Sequence, residues 1–309
     1  MVGWPGASLH PSAKHWSRRE SFHSIQSWIM PFNPTFPSQY NPTDTKDAFQ
    51  VVDGVGNYSN SSDTITTVGF PVLLREKYIL LHDGNDTFTG TDFNSPGWDN
   101  IANGNRGEDT IKGNKFRDFL RGGKDKDTVT GGSAGADFLL GDAEDDKVTA
   151  TSPDKNICRG GRGNDTLIGN INSDLLVGDF GFDTMSGKGG KDYFVLRSDK
   201  NDAEGLSNLS SDINEVDFVT DFKTGDDYIV MPGITNKNKI RIEDDGFFKY
   251  KIGVIQDDLN VLYAGYVKAD GVLTDARFVV GDDANTIYNC ADGNDPSTFL
   301  NNINCFDIK

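Results

Sequence analysis

The sequence predicts an all-β chain, with a flat parallel solenoid in its middle, an antiparallel β cap after it and a poorly ordered segment before it. Three observations carry this. Aspartate recurs about every nine residues from Asp86 to Asp192. An apolar residue follows each beat by two positions, and a glycine usually precedes it by five. Of 35 glycines, 21 fall between Gly84 and Gly190, so enrichment and repeat mark the same segment. Internal periodicity of this kind signals stacked repeats rather than a mixed globular core.

The first segment, 1–80, holds six basic and six acidic side chains. The acid behind the net charge of −17 therefore lies wholly in 81–309, with 24 basic against 41 acidic residues. That balance argues against nucleic acid and anionic membranes as partners. Ser17–Met30 fits a short amphipathic helix with Phe22, Ile25, Trp28 and Ile29 on one side and Pro31 as its stop. Pro34, Pro37 and Pro42 break any regular element after it. No apolar run approaches the ~20 residues of a membrane span. The longest near the start, Trp28-Ile29-Met30, is too short for a cleaved signal peptide.

The second segment, 81–198, carries the repeat. Its beats are Asp86, Asp99, Asp109, Asp118, Asp127, Asp137, Asp146, Asp165, Asp174, Asp183 and Asp192. One beat is missed between Asp146 and Asp165, where Lys155 stands in the aspartate place. The apolar positions are Phe88, Ile101, Ile111, Leu120, Val129, Leu139, Val148, Ile157, Leu167, Leu176, Met185 and Phe194. The preceding glycines are Gly104, Gly113, Gly122, Gly132, Gly141, Gly160, Gly169, Gly178 and Gly187.

Glycine permits the positive φ of a tight turn. The triplet after each aspartate, such as Thr166-Leu167-Ile168, is a minimal strand with one inward side chain. Two units make a coil of 18 residues, and such coils must stack to bury their apolar centres. Stacking lines the aspartates up along two edges. One carries Asp86, Asp109, Asp127, Asp146, Asp165 and Asp183, and the other carries Asp99, Asp118, Asp137, Asp174 and Asp192. At the ~4.8 Å spacing of strands, like charges in a partly dry turn repel. A hard divalent cation removes that cost. Carboxylates with backbone carbonyls suit the ~6–8 oxygen ligands of Ca²⁺ better than the tight octahedron of Mg²⁺.

The motif Gly160-Gly161-Arg162-Gly163-Asn164-Asp165-Thr166-Leu167-Ile168 resembles the calcium-binding nonapeptide of the repeats-in-toxin (RTX), or hemolysin-type, family. Gly178–Asp183 matches it as well, and Gly104–Asp109, Gly122–Asp127, Gly132–Asp137 and Gly187–Asp192 follow it closely. Gly113–Asp118, Gly141–Asp146 and Gly169–Asp174 lack the glycine two residues before the aspartate. The first two beats are irregular, with Leu81-His82 in place of the glycine pair and an insertion in 90–99. The resemblance implies a parallel β-roll with Ca²⁺ held in its turns. The metal-site residues it implies are the eleven aspartates with Gly104, Gly107, Gly122, Gly132, Gly135, Gly160, Gly163, Gly178, Gly181 and Gly187. It further implies secretion without a cleaved N-terminal signal, and hence an extracellular or cell-surface location.

The third segment, 199–309, loses the repeat but keeps strand-like stretches at 216–222, 228–231, 247–255, 259–267 and 277–280. These read as an antiparallel cap, and Val216–Asp227 is similar to the segment that often follows such repeats. Cys290 and Cys305 either close a short loop in an oxidising compartment or remain free thiols. Gly131-Gly132-Ser133-Ala134-Gly135 has the spacing of a nucleophile elbow, yet it lies in a repeat turn. HExxH does not occur. The expected function is therefore a non-enzymatic, secreted calcium-binding protein of a surface or matrix. The rivals are an accessory module of a toxin or polysaccharide-modifying enzyme, and a module gripping a cell-surface glycan or protein. The Lys155 turn, next to Asp154, is expected to interrupt the ladder between Asp137 and Asp174 while Ile157 keeps its inward place.

Overall fold

A coil of this chain is two strands facing each other, joined by two turns. One strand is three residues long and rich in threonine, as in Thr128–Thr130. The other runs longer, as in Arg117–Lys124. The computed structural model describes residues 50–52, 55–57, 61–66, 78–90, 98–198 and 208–291. All belong to one compact unit, Pro42–Lys309. The Ser17–Met30 helix expectation lies outside the described residues.

The strands form two sheets. The short strands stack in parallel from Thr64–Thr66 through Thr87–Thr89, Thr110–Lys112, Thr128–Thr130, Lys147–Thr149 and Thr166–Ile168 to Thr184–Ser186. The long strands stack from Tyr78–Leu80 through Trp98–Arg106, Arg117–Lys124, Phe138–Ala143 and Ile157–Arg162 to Leu175–Phe180 and Tyr193–Val195. The chain is thus an all-β solenoid of parallel coils. Its single described α-helix is Gly281–Cys290.

The core lies between the sheets. Ile65, Phe88, Ile111, Val129, Val148, Leu167 and Met185 form the inward row of the short strands, all buried. Ala102, Leu120, Leu139, Cys158, Leu176 and Phe194 face them from the long strands. Each row is straight because parallel pairing keeps equivalent residues in register, Leu139 on Cys158 and Cys158 on Leu176. A second apolar row, Phe119, Phe138, Ile157, Leu175 and Tyr193, is also buried, on the opposite face of the long strands. Alternation within a strand puts neighbours on opposite faces, so this row lies outside the solenoid interior. Leu176→Ala, at the middle of the inward row, is expected to cost about 2–5 kcal/mol, read from urea unfolding with calcium present.

Parallel stacking continues past residue 198. Asp217–Phe222 adds to the short-strand sheet on Thr184–Ser186, and Tyr228–Val230 then Phe278–Val279 add to the other. The antiparallel cap is confined to Ile240–Gly246, Lys249–Ile255 and Val261–Ala269. At the other end, strands occur before residue 81: Gln50–Val52 and Val55–Asn57 form a hairpin, and the second of them pairs in parallel with Tyr78–Leu80.

Two register expectations are corrected. Asn156, not Lys155, stands in line with Asp137 and Asp174, so Cys158 occupies the inward row and Ile157 the outward one. In the same way Asn100 pairs with Asp118, which places Ala102 rather than Ile101 inward. The Asp99 side chain lies outside the described residues.

Candidate metal centres

The turns fall into two classes. On the edge that carries Asp86, Asp109, Asp127, Asp146, Asp165 and Asp183, each turn has positive φ at its second and fourth residues. The pairs are His82 and Gly84, Asn105 and Gly107, Gly123 and Asp125, Asp142 and Glu144, Gly161 and Gly163, and Asp179 and Gly181. Asparagine and aspartate tolerate this region better than other residues with a Cβ, which explains several substitutions for glycine. Glu144 has no such excuse, and its φ of 75° is strained.

These aspartates form a ladder. The Asp109 N–H donates to Asp127 Oδ1 at 2.8 Å, Asp127 N–H to Asp146 Oδ1 at 2.8 Å, and Asp146 N–H to Asp165 Oδ1 at 2.8 Å. The ladder starts with Asp63 N–H on Asp86 Oδ1 and ends with Asp183 N–H on Asp217 Oδ1. Every Oδ1 is therefore engaged. The Oδ2 atoms of Asp86, Asp109, Asp127, Asp146, Asp165 and Asp183 are buried and have no hydrogen-bond partner. A buried carboxylate oxygen without a donor is costly, and native structures leave few of them.

Five of the six orphan oxygens lie against a glycine, and Asp86, which has Leu81 five residues before it, is the exception. A Cβ on Gly104, Gly122, Gly141, Gly160 or Gly178 would collide with the Oδ2 of the aspartate five residues on. At Gly104 the carbonyl oxygen of Gly122, one coil further along, borders the same position. At Gly104 an anionic oxygen and a carbonyl from successive coils thus meet beside a residue with no side chain. Among the described residues no three His, Cys, Asp or Glu side chains cluster. That follows from the architecture, in which each turn brings one carboxylate and the remaining oxygens are backbone. This donor set fits a hard cation such as Ca²⁺.

Burial pushes the carboxyls of this ladder upward: Asp109 to about 6, Asp86 and Asp165 to about 7, Asp127 to about 8 and Asp146 to about 9. Asp183 is also pushed far up, by burial first and then by Asp217 beside it. The N–H received from the preceding coil offsets only part of the burial.

The other edge is built differently. Asp118 N–H donates to Asp137 Oδ1 and Asp137 N–H to Asn156 Oδ1; Asn156 N–H donates to Asp174 Oδ1, and Asp174 N–H to Asp192 Oδ1. In three of these aspartates the second oxygen is satisfied by its own turn. Asp118 Oδ2 accepts from Asn114 N–H at 2.7 Å, Asp137 Oδ2 from Gly132 N–H at 2.9 Å and Asp174 Oδ2 from Asn170 N–H at 2.6 Å. Gly135 has φ of 86° and its N–H donates to Asp154. The Gly187–Asp192 turn alone on this edge shares the two positive-φ positions, at Lys188 and Gly190. Asp221 caps that turn by accepting from Gly187 N–H, Lys188 N–H and Ser186 Oγ.

Sequence reasoning brought the carboxylates into line but missed Asn100, Asn156, Asp217 and Asp227 as ladder members. Asn100 Nδ2 donates to Asp118, and Asp192 N–H donates to Asp227. An amide in the aspartate place was the available signal at both asparagines.

The RTX calcium-binding nonapeptide repeat family matches this chain in four copies, at residues 103–134, 132–152, 154–185 and 168–199. No curated protein matches the chain. The four matched stretches run along the parallel coils of the solenoid.

Proposed function

We propose that this chain, built around RTX calcium-binding repeats, is a secreted, non-catalytic calcium-binding protein whose solenoid folds once it meets extracellular calcium. The observation that carries this reading is the set of six orphaned Oδ2 atoms along one edge. Asp86, Asp109, Asp127, Asp146, Asp165 and Asp183 would hold the ions with backbone carbonyls of the glycine-rich turns. Bound calcium would supply positive charge to oxygens that the protein leaves without donors. Gly107, Gly163 and Gly181 would let adjacent turns approach, since a Cβ at any of them collides with a carbonyl of the preceding coil.

We assign the ions to this one edge. Asp137 and Asp174 already have a backbone donor on each oxygen, and Asp118 has Asn114 N–H on Oδ2 and Asn100 Nδ2 on Oδ1. The neutral Asn156 removes one charge from that edge, and its Nδ2 donates to Asp174 Oδ1 at 2.9 Å. Several features support an extracellular role. Cys290 is disulfide-bonded, as expected in an oxidising compartment, while its candidate partner Cys305 lies outside the described residues. Among the described residues no helix is long and apolar enough to cross a membrane. A non-catalytic reading is supported by Ser133, which sits in the turn that carries the chain from one sheet to the other, between Thr128–Thr130 and Phe138–Ala143, rather than between a strand and a helix.

Calorimetric titration of the chelated chain tests the reading. About six ions are expected per chain, with Kd of roughly 10⁻⁴–10⁻³ M, the range of extracellular sites. Asp146→Asn is expected to remove an ion and to raise the metal-free stability at pH 8. Asp137→Asn is expected to leave the stoichiometry unchanged. Equal losses from the two variants overturn the one-edge assignment, and absence of any calcium heat overturns the function.

A further inference from the structure

The antiparallel cap ends in a hairpin whose turn breaks ordinary turn chemistry. Ile240–Gly246 and Lys249–Ile255 pair with Gly246 opposite Lys249, leaving Phe247 and Phe248 as the two loop residues. Both have positive φ, 53° and 57°. A two-residue turn with this backbone favours Asn-Gly, and bulky side chains are outliers there. Phe247 is nonetheless 95% exposed and Phe248 51% exposed. Phe247 gains nothing from packing inside the protein, and Phe248 is only half covered.

The surroundings extend the apolar tip. Ala269 N–H donates to Phe248 O at 2.8 Å, and Tyr250 OH donates to Gly271 O at 3.2 Å. These bonds hold the 269–272 segment against the hairpin end, and Val272 on it is 70% exposed. Lys249 lies directly across the strands from Lys268. Like charges in that position destabilise a sheet unless an anion sits between them. Residues 244–251 and 266–272 contain three lysines and three aspartates, so the tip is neutral on a chain of net charge −17.

We propose that Phe247 and Phe248 are a membrane-docking tip that inserts into the interface of a zwitterionic bilayer. The rings protrude from a convex turn, a shape suited to a soft apolar layer. The Lys249–Lys268 pair lies at the base of the rings, where headgroup phosphates would sit. An anionic bilayer would be repelled by the rest of the chain, whereas a zwitterionic one is not. Two rings give weak, reversible attachment rather than stable anchorage. The inference stands on the cap alone and does not depend on where calcium binds.

Flotation of the full chain with phosphatidylcholine vesicles, in millimolar calcium, tests it. The folded chain is expected to float with the vesicles. The double variant Phe247→Asn with Phe248→Gly supplies the residues this turn favours, so its melting temperature should not fall. Its vesicle partitioning should drop at least about tenfold, because burying even one Phe side chain corresponds to that factor or more. A single Phe247→Trp variant should show a blue-shifted emission with vesicles. Equal partitioning of the double variant overturns the proposal. So does a folded parent chain that stays unbound, or one that loses a protein partner through this variant while ignoring vesicles.

Discussion

In excess chelator at pH 8 the chain is expected to lose most of its far-UV β signal, and to regain much of it on acidification to about pH 5. Burial raises the ladder carboxyls from their usual 3.8 to about 6 at Asp109, about 8 at Asp127 and about 9 at Asp146. The folded state therefore binds protons more tightly than the unfolded one. Such groups stabilise the fold fully below the unfolded value near 4 and lose that contribution as pH rises through 6 to 9. Each factor of ten in proton affinity corresponds to about 1.4 kcal/mol, so several carboxylates together outweigh a typical stability of ~5–15 kcal/mol. Calcium, which binds the ionised form, should remove the acid preference. Circular dichroism against pH, with and without calcium, reads both arms. A chelated chain that keeps its spectrum at pH 8 contradicts the account.

Gly181→Ala should be nearly as severe, even with calcium bound. Gly181 sits at φ of 141°, a backbone region closed to residues with a Cβ, and its Cβ would strike the carbonyl oxygen of Gly163 in the coil below. Relief requires parting two coils where Gly163 N–H donates to Phe180 O at 2.9 Å. The expected cost is about 3 kcal/mol or more, combining backbone strain and overpacking. Lys188→Ala provides the comparison: it also has positive φ, but in an exposed position, and should cost about 1 kcal/mol or less. Thermal melts of the two variants in calcium should separate clearly. Similar melting points would mean that coil-to-coil contact does not set the glycine requirement.

The solenoid was legible because one rule, an aspartate followed two residues later by an inward side chain, is enforced by stacking from Asp109 to Asp146 without interruption. It failed where chemistry allowed a substitute. Asn156 offers the same acceptor oxygen to Asp137 N–H as an aspartate would, so the ladder passes the Lys155 turn intact. Reading for charge alone shifted that beat by one residue and put Ile157 inside in place of Cys158. The period was also lost beyond Asp192, although Asp217 and Asp227 continue both ladders. A stacked coil fixes where its strands lie but not how much chain the connecting loop holds. The two classes of turn were not legible at all. Whether a carboxylate oxygen receives an N–H from its own turn depends on backbone dihedrals that several sequences can adopt. The buried outward row of Phe119 and Phe138 was likewise hidden, since it reads as an ordinary residue before each inward one.

The aspartate ladder also gives the stack a polarity. Along the Asp86–Asp183 edge each aspartate N–H is satisfied by a carboxylate from the coil that follows it in sequence, as Asp127 is by Asp146. Removing the last coil would leave the Asp183 N–H without its acceptor. Removing the first would free the Asp86 acceptor oxygen that Asp63 N–H reaches, together with the Thr87 N–H that donates to Asp63 O. The two ends of the rod are therefore not equivalent. The rod therefore has a direction at every coil, and antiparallel strands stand at both of its described ends, Gln50–Val52 on Val55–Asn57 at the first and Ile240–Gly246 on Lys249–Ile255 at the last.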